Sequence, residues 1–326
     1  MVTPSDELLV LADALPGRAT LMKPLGPLTT YGVGGPAGLY LEIEDGDDLT
    51  HVRRAVRDVI GRSPTPPAVF VLGRGSNVLV ADEGFEGMVV HLGDGFAGVE
   101  LPQPDAAGGA AVVRAGAAVA LPVLARRVAD AGWSGLSWAV GVPGSVGGAL
   151  RMNAGGHGSD VAASLLRYRW LDLTGEDGGD EDAASLRLGY RSSALEAGHL
   201  VIWAEFGLRP GDPDAGREAI AEIVRWRRRH QPGGSNAGSV FANPPGDSAG
   251  RLIEASGLKG WRIGTAVVSP KHANFIQADA GGSASDVYRL MEYVREQVLR
   301  RQGVYLRSEV RLVGFDDLEG EERSQP

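Results

Sequence analysis

The sequence predicts an α+β protein in at least two parts. Two observations carry that prediction. Short apolar runs alternate with glycine knots up to about residue 209, and helical periodicity of apolar residues dominates after it. The 48 glycines cluster without a collagen-like period, which points to many tight turns and close backbone approach to a ligand. At 326 residues and 43% hydrophobic content, the chain can bury cores for two or three domains.

The elements follow in order. Leu49, Val52, Val56 and Val59 recur at helical spacing, so 47–60 is expected to be a helix. The apolar run 68–72, the loop Gly73-Arg74-Gly75-Ser76-Asn77 and the run 78–80 read as strand, tight loop, strand. Further strands are expected at 88–92 and 111–114, and a helix at 121–131 that ends at Gly132. The glycine-dense stretch 141–158 precedes strands at 165–173 and 200–208. Between those strands, the acidic glycine run 174–182 lacks the ligand spacing of a calcium loop and reads as a solvated turn. Composition shifts near Pro210. A helix is expected over 214–229, with arginines suited to its C-terminal dipole. Residues 286–301 form an amphipathic pattern with Val287, Leu290, Met291, Val294 and Val298 on one face, followed by Gly303 and a strand over 304–313.

Composition narrows the function. Lys and Arg number 32 against 41 Asp and Glu, so the net charge is -9, a poor balance for a nucleic-acid binder. With no cysteine, disulfides, thiolate metal sites and cysteine nucleophiles are excluded, which fits a reducing cytoplasm. The six histidines show no metal-ligand spacing, and no metal site is expected. No apolar run approaches the roughly 20 residues that span a bilayer, and residues 1–16 do not read as a signal peptide.

Glycine loops with exposed N–H groups suit a pyrophosphate, and two are present: 73–77, and 141–149 followed by Asn153-Ala154-Gly155. Together they suit an extended dinucleotide better than either does alone. Gly32-Val33-Gly34 lacks the third glycine and preceding strand of a Rossmann fingerprint, and neither loop is a Walker A sequence. A third polar turn, 236–244, contains Ser239, which is not in a nucleophile elbow. Read singly, the rest is ordinary structure. The arginines at 225–229 suit a solvated helix face, Glu309 between Arg307 and Arg311 suits a surface ion cluster, and Tyr190-Arg191 is anonymous.

Their order is not ordinary. Thr30-Tyr31-Gly32-Val33-Gly34-Gly35-Pro36-Ala37 is followed by Leu72-Gly73-Arg74-Gly75-Ser76-Asn77-Val78-Leu79 and by the loop 141–149. Gly189-Tyr190-Arg191-Ser192-Ser193, the 237–244 turn and the run 252–260 come next. Val268-Ser269-Pro270-Lys271-His272-Ala273-Asn274-Phe275 and Ser308-Glu309-Val310-Arg311 close the series. This ordered set, spanning roughly 29–313, resembles the UDP-N-acetylenolpyruvoylglucosamine reductase (MurB) family.

The resemblance implies an FAD-binding fold of the vanillyl-alcohol-oxidase type. Its subdomains would lie at 1–86 and 87–209, with an α+β substrate-binding domain at 210–326. It implies FAD and NADPH as cofactors, a small nucleotide-sugar substrate and no obligate protein partner. Arg191, Ser239 and Glu309 match the catalytic positions: a cation for the substrate carboxylate, a proton donor, and a glutamate acting on the enolate. Gly73, Gly75, Ser76, Asn77, Val78, Pro143, Gly144, Ser145, Gly148, Ala149 and Asn153 are the implied cofactor contacts. Tyr190 and Asn243 are the implied substrate contacts. Arg74, His157 and Ala242 depart from the family's usual residues, and the short span between Arg191 and Ser239 suggests the subtype without an extra tyrosine-bearing loop. Two other readings stand beside it: a flavin oxidase of the same fold, and a non-enzymatic binding paralogue.

Overall fold

The computed structural model describes residues 2–61, 63–102, 111–175 and 178–315. The chain begins with α1 (Asp6–Ala14), β1 (Ala19–Pro24), β2 (Pro36–Ile43) and α2 (Gly46–Ile60). Three strands follow, β3 (Val69–Val71), β4 (Val78–Val80) and β5 (Phe85–Leu92). A four-stranded sheet runs in the order β1-β2-β5-β3. β1 is antiparallel to β2, while β5 is parallel to both β2 and β3. Alternation along β2 sends Leu39, Leu41 and Ile43 to one face, where they join Leu8 and Leu11 of α1 and Leu49, Val52 and Val56 of α2. Tyr40 joins the smaller cluster that includes Val78, Val80 and Val89. α2 starts where Asp45 accepts hydrogen bonds from the Asp47 and Asp48 N–H groups, the usual device for satisfying a helix start.

A second sheet follows. Its elements are β6 (Val99–Glu100), β7 (Ala111–Gly116), α3 (Leu121–Asp130), β8 (Trp133–Ser134) and α4 (Val146–Arg151). The short pair β9 (Gly155–Gly156) and β10 (Ser159–Asp160) then leads to β11 (Leu165–Asp172), β12 (Asp180–Asp182) and β13 (His199–Pro210). The strand order is β12-β11-β13-β7-β6, with β8 on the end of β13. Val113 and Ala115 of β7 and Ala204, Phe206 and Leu208 of β13 pack with Leu121, Leu124 and Val128 of α3.

The last part contains α5 (Pro213–His230), α6 (Ala249–Ala255), β14 (Arg262–Ile263), β15 (Ala266–Val268) and β16 (Ile276–Ala278). α7 (Ala284–Gln302) and β17 (Arg311–Val313) complete it. The apolar stripe of α7 is as the spacing predicts: Val287, Leu290, Met291, Val294 and Val298 are buried against Ala266, Val268, Ile276 and Ala278. Each such side chain contributes on the order of 1.5–3 kcal/mol. Gly303, at φ +70, ends the helix in the left-handed conformation that favours glycine.

This module is tied to the first sheet at one short segment. β17 pairs in parallel with β4, Arg311 opposite Val78 and Val313 opposite Val80. Two residues beyond β4, Asp82 accepts from Ser283 Oγ at 2.6 Å, Ala284 N at 2.8 Å and Ser285 N at 2.9 Å. It therefore caps α7 from another unit, beside the local cap Ser283.

Several expectations are corrected. The division between 86 and 87 cuts β5, whose pairing with β2 and β3 places the whole strand in the first sheet. The division at 210 separates α5 from its packing partners, because Ile220 is buried with α3 and β13. The run 174–182, of which 176 and 177 lie outside the described residues, carries the edge strand β12. The strand expected over 304–313 is regular only at 311–313, because 307–309 instead pair with the Ser239 turn.

Candidate active site

The two glycine loops touch each other where both line a cleft. A methyl group on Gly73 would stand 2.6 Å from Ser145 Oγ, and one on Gly144 3.4 Å from Ser76 Oγ. Gly75 is held at φ +60, and a methyl group there would fall 2.2 Å from the Leu28 carbonyl oxygen. Only glycine fits such a position. Ser145 is buried and accepts from the Gly148 N–H at 3.4 Å, starting the six-residue α4. Among the described residues, no main-chain N–H from Gly73 to Asn77 is used by a hydrogen bond within the protein. Such N–H groups are available to an anion.

The cleft that both loops line has a volume of about 1740 Å³. Gly73, Gly75, Ser76, Asn77, Val78, Pro143, Gly144, Ser145, Gly148 and Ala149 line it, as do Arg191, Ser239 and Glu309. Asn153 does not. Its side chain is spent inside the protein, donating to the Gly189 carbonyl at 3.0 Å and accepting from Ala162 N at 3.0 Å. It holds the turn that carries Tyr190 and Arg191.

Arg191 and Glu309 meet in the cleft. Arg191 Nε donates to Glu309 Oε1 at 3.2 Å and Nη2 donates to the Gly155 carbonyl at 3.3 Å. The same Glu309 oxygen accepts from the Tyr190 hydroxyl at 3.0 Å. The Glu309 side chain is 10% exposed and that of Arg191 30%, so the pair is screened from bulk water but reachable from the cleft. Arg191 takes φ +54, a left-handed conformation that costs a non-glycine residue on the order of 1 kcal/mol or more.

Tyr190 is 63% exposed and Asn243 is exposed; neither lines the cleft. Burial of the hydroxyl and the adjacent Glu309 charge push the Tyr190 pKa up. The Asn243 side chain accepts from Ala249 N at 3.0 Å at the start of α6. Tyr190 stands beside the cleft, joined to it through Glu309.

Ser239 lies in a turn fixed by Asn274, which is buried. Asn274 Oδ1 accepts from Phe241 N at 3.0 Å, and Nδ2 donates to the Phe241 carbonyl at 2.8 Å. Nothing in the sequence motif 268–275 marks Asn274 for this task. Arg151 carries no sequence signal, and the 225–229 arginines suit a solvated face. Arg74, Arg151, Arg227 and Arg311 all line the cleft with Arg191, and Glu7, Glu83 and Glu86 line it with Glu309. Burial lowers the pKa of Arg151 and of Arg227. Arg225, by contrast, pairs with Glu218 on the surface, as expected for a solvated face. Of the α5 arginines, Arg227 alone is partly buried; it lies four positions after Ile223, on the helix face that packs inward.

Residues 230–313 match the family model described as UDP-N-acetylenolpyruvoylglucosamine reductase, C-terminal domain, and residues 55–176 match that of an FAD binding domain. A UDP-N-acetylenolpyruvoylglucosamine reductase from Rubrobacter xylanophilus is 43% identical over 299 residues, covering 90% of this chain and 94% of that protein. The chain belongs to the UDP-N-acetylenolpyruvoylglucosamine reductase family. A reductase of this family from Chloroflexus aggregans is 38% identical over 93% of the chain and all of that protein. The crystal structure of the reductase from Thermus caldophilus superposes with a TM-score of 0.73, at 34% identity over 90% of this chain and 98% of that one. A vanillyl-alcohol-oxidase-type flavoprotein from Myceliophthora thermophila shares the fold at a TM-score of 0.52 and 9% identity, covering 91% of this chain and 85% of that one. The reductase family fold is thus the α+β FAD-binding type. Among the described residues no helix is long and apolar enough to cross a membrane.

Proposed function

We propose that the chain reduces UDP-N-acetylglucosamine enolpyruvate to UDP-N-acetylmuramate, with FAD in the cleft and NADPH as electron source. The observation that carries this reading is the meeting of Arg191 and Glu309 in a cleft walled by two opposed glycine loops. The residues present fit the cofactor. Small residues at 73, 75 and 144 keep the walls free of side chains, and unused N–H groups from Gly73 to Asn77 suit its pyrophosphate. Gly73, Gly75, Ser76, Val78, Pro143, Gly144, Ser145, Gly148 and Ala149 would hold it, with Asn77 at the end of the first loop.

When bound, FAD supplies the hydride that the enol ether accepts. The protein's part is charge and proton control. Arg191 is permanently cationic and balances the carboxylate as charge accumulates next to it. Glu309, one oxygen of which already accepts two hydrogen bonds, stands where that charge develops and fixes the orientation of Arg191. Ser239 delivers a proton to the carbon that does not take the hydride. Tyr190 and Asn243 guide the substrate at the edge of the cleft. The two sheets form the cofactor-binding units, and the module after α5 closes on the nucleotide sugar. The same reading puts the reaction in the cytoplasm, with a small nucleotide sugar and no nucleic acid, membrane or obligate second protein as its partner.

The test is anaerobic flavin absorbance. NADPH should bleach the flavin, and UDP-N-acetylglucosamine enolpyruvate should restore it with formation of UDP-N-acetylmuramate. A flavin that NADPH bleaches and oxygen, but not this substrate, restores rapidly would replace this reading with an oxidase of the same fold.

A further inference from the structure

Glu309 and Ser239 belong to one short antiparallel pairing. Ala242 N donates to the Arg307 carbonyl at 2.9 Å, Phe241 faces Ser308, and Glu309 N donates to the Val240 carbonyl at 2.8 Å. That pairing fixes the two residues relative to each other. It does not fix either one relative to the glycine loops.

Asn77 supplies that reference. Its side-chain Nδ2 donates to the Glu309 carbonyl at 2.8 Å, across 232 positions of sequence. Its own carbonyl accepts from Arg311 N at 3.0 Å, and the contact continues directly into the β4–β17 pairing. The Glu309 peptide is therefore gripped on both sides, by Val240 at its N–H and by Asn77 at its oxygen. Only a side chain with an amide N–H serves here: aspartate offers no donor, and alanine offers nothing.

We infer that Asn77 is a positioning residue for Glu309: its side-chain amide, unlike its main-chain N–H, serves to fix the glutamate against the first glycine loop rather than to bind the cofactor. The inference rests on the function proposed above, in which the relative placement of glutamate and cofactor loop decides the second half of the reaction. Displacement of a reacting group by about 1 Å can cost on the order of a hundredfold in rate.

The experiment uses the full flavin-loaded chain, with Asn77→Ala and, should that variant not fold, the isosteric Asn77→Asp. Flavin content should be retained. Flavin reduction by NADPH should change by less than about threefold, and reoxidation by UDP-N-acetylglucosamine enolpyruvate should slow by about tenfold or more. Combining Asn77→Ala with Glu309→Gln should add no further loss, because the two act as one unit. Independently of turnover, hydrogen exchange over residues 306–313 should quicken in the variant. Loss of flavin, an equal fall in both half-reactions, an additive double variant or unchanged exchange would each overturn the inference. Wild-type protein that the enolpyruvyl substrate fails to reoxidise would sink the proposed function instead. In that case the exchange measurement would still decide whether Asn77 holds Glu309.

Discussion

Arg191 Nε and Glu309 Oε1 stand 3.2 Å apart although 118 positions separate the two residues in sequence. The contact joins the turn after β12 to the segment before β17, and so joins the second sheet to the C-terminal module. Removing either partner strands a charge in a half-dry cleft. Arg191→Ala and Glu309→Ala should each keep their flavin and lose more than about a hundredfold in turnover. Arg191→Lys should recover little, because an ammonium cannot reach both Glu309 and the Gly155 carbonyl with a planar fork. Steady-state rates alongside flavin content check this, and wild-type turnover in any of the three removes the assigned role.

Ser239→Ala deletes only a hydroxyl from a turn whose backbone is fixed by Asn274. Flavin reduction by NADPH should proceed as in the wild type, while reoxidation by substrate slows by about a hundredfold. Stopped-flow absorbance separates the two steps. A collapse of both would mean that the serine is not a selective proton donor.

Bulk at Gly144 should cost cofactor rather than fold. An added methyl group meets Ser76 Oγ at 3.4 Å, ordinary contact at a flexible hydroxyl, but it projects between the loops. Gly144→Val should therefore purify with reduced flavin content and little change in melting temperature. Gly75→Ala should behave in the opposite way. The clash with the Leu28 carbonyl and the φ of +60 should cost on the order of 1–3 kcal/mol, a fall in melting temperature of roughly 2–10 °C. Full flavin loading in Gly144→Val would take that loop out of the cofactor site.

The Asp82 cap on α7 makes a pH-dependent contribution. Burial pushes its carboxyl pKa up, but hydrogen bonds from Ser283, Ser285 and Ala284 outweigh burial and hold it below the ordinary value of 3.8. A depressed folded pKa means stability that is present above that ordinary value and lost as pH falls through it toward the folded one. Asp82→Ala should cost about 0.5–2 kcal/mol at pH 7. The gap to wild type should narrow at pH 3. Urea unfolding at the two pH values measures both, and a gap that stays constant would show that the cap acts without its charge.

Local pattern carried much of this protein. The stripes of α2, α3, α5 and α7 were legible because helix spacing is a property of consecutive residues. The two glycine loops were legible because their glycines stand close together in sequence, and Gly73 and Gly75 occupy places where a side chain would collide with a neighbour. β1, β2 and the β14–β16 meander went unread. β2 is buried along nearly its whole length and so lacks alternation, and two-residue β14 and three-residue β15 and β16 are too short to show a period.

The sequence by itself determined which residue types could serve the cleft and the order in which the chain presents them. Tertiary structure decided how they are used. It set the Asn153 side chain on the Gly189 carbonyl and drew Arg227 out of a solvated run into the lining. It also set Asn77 on the Glu309 peptide. For Asn153 and Asn77 the physical reason is the hydrogen-bond partner that folding brings to the side chain, 36 and 232 positions away along the chain. For Arg227, whose Nε donates to nearby Gln231, it is the place that the packing of α5 gives the helix face.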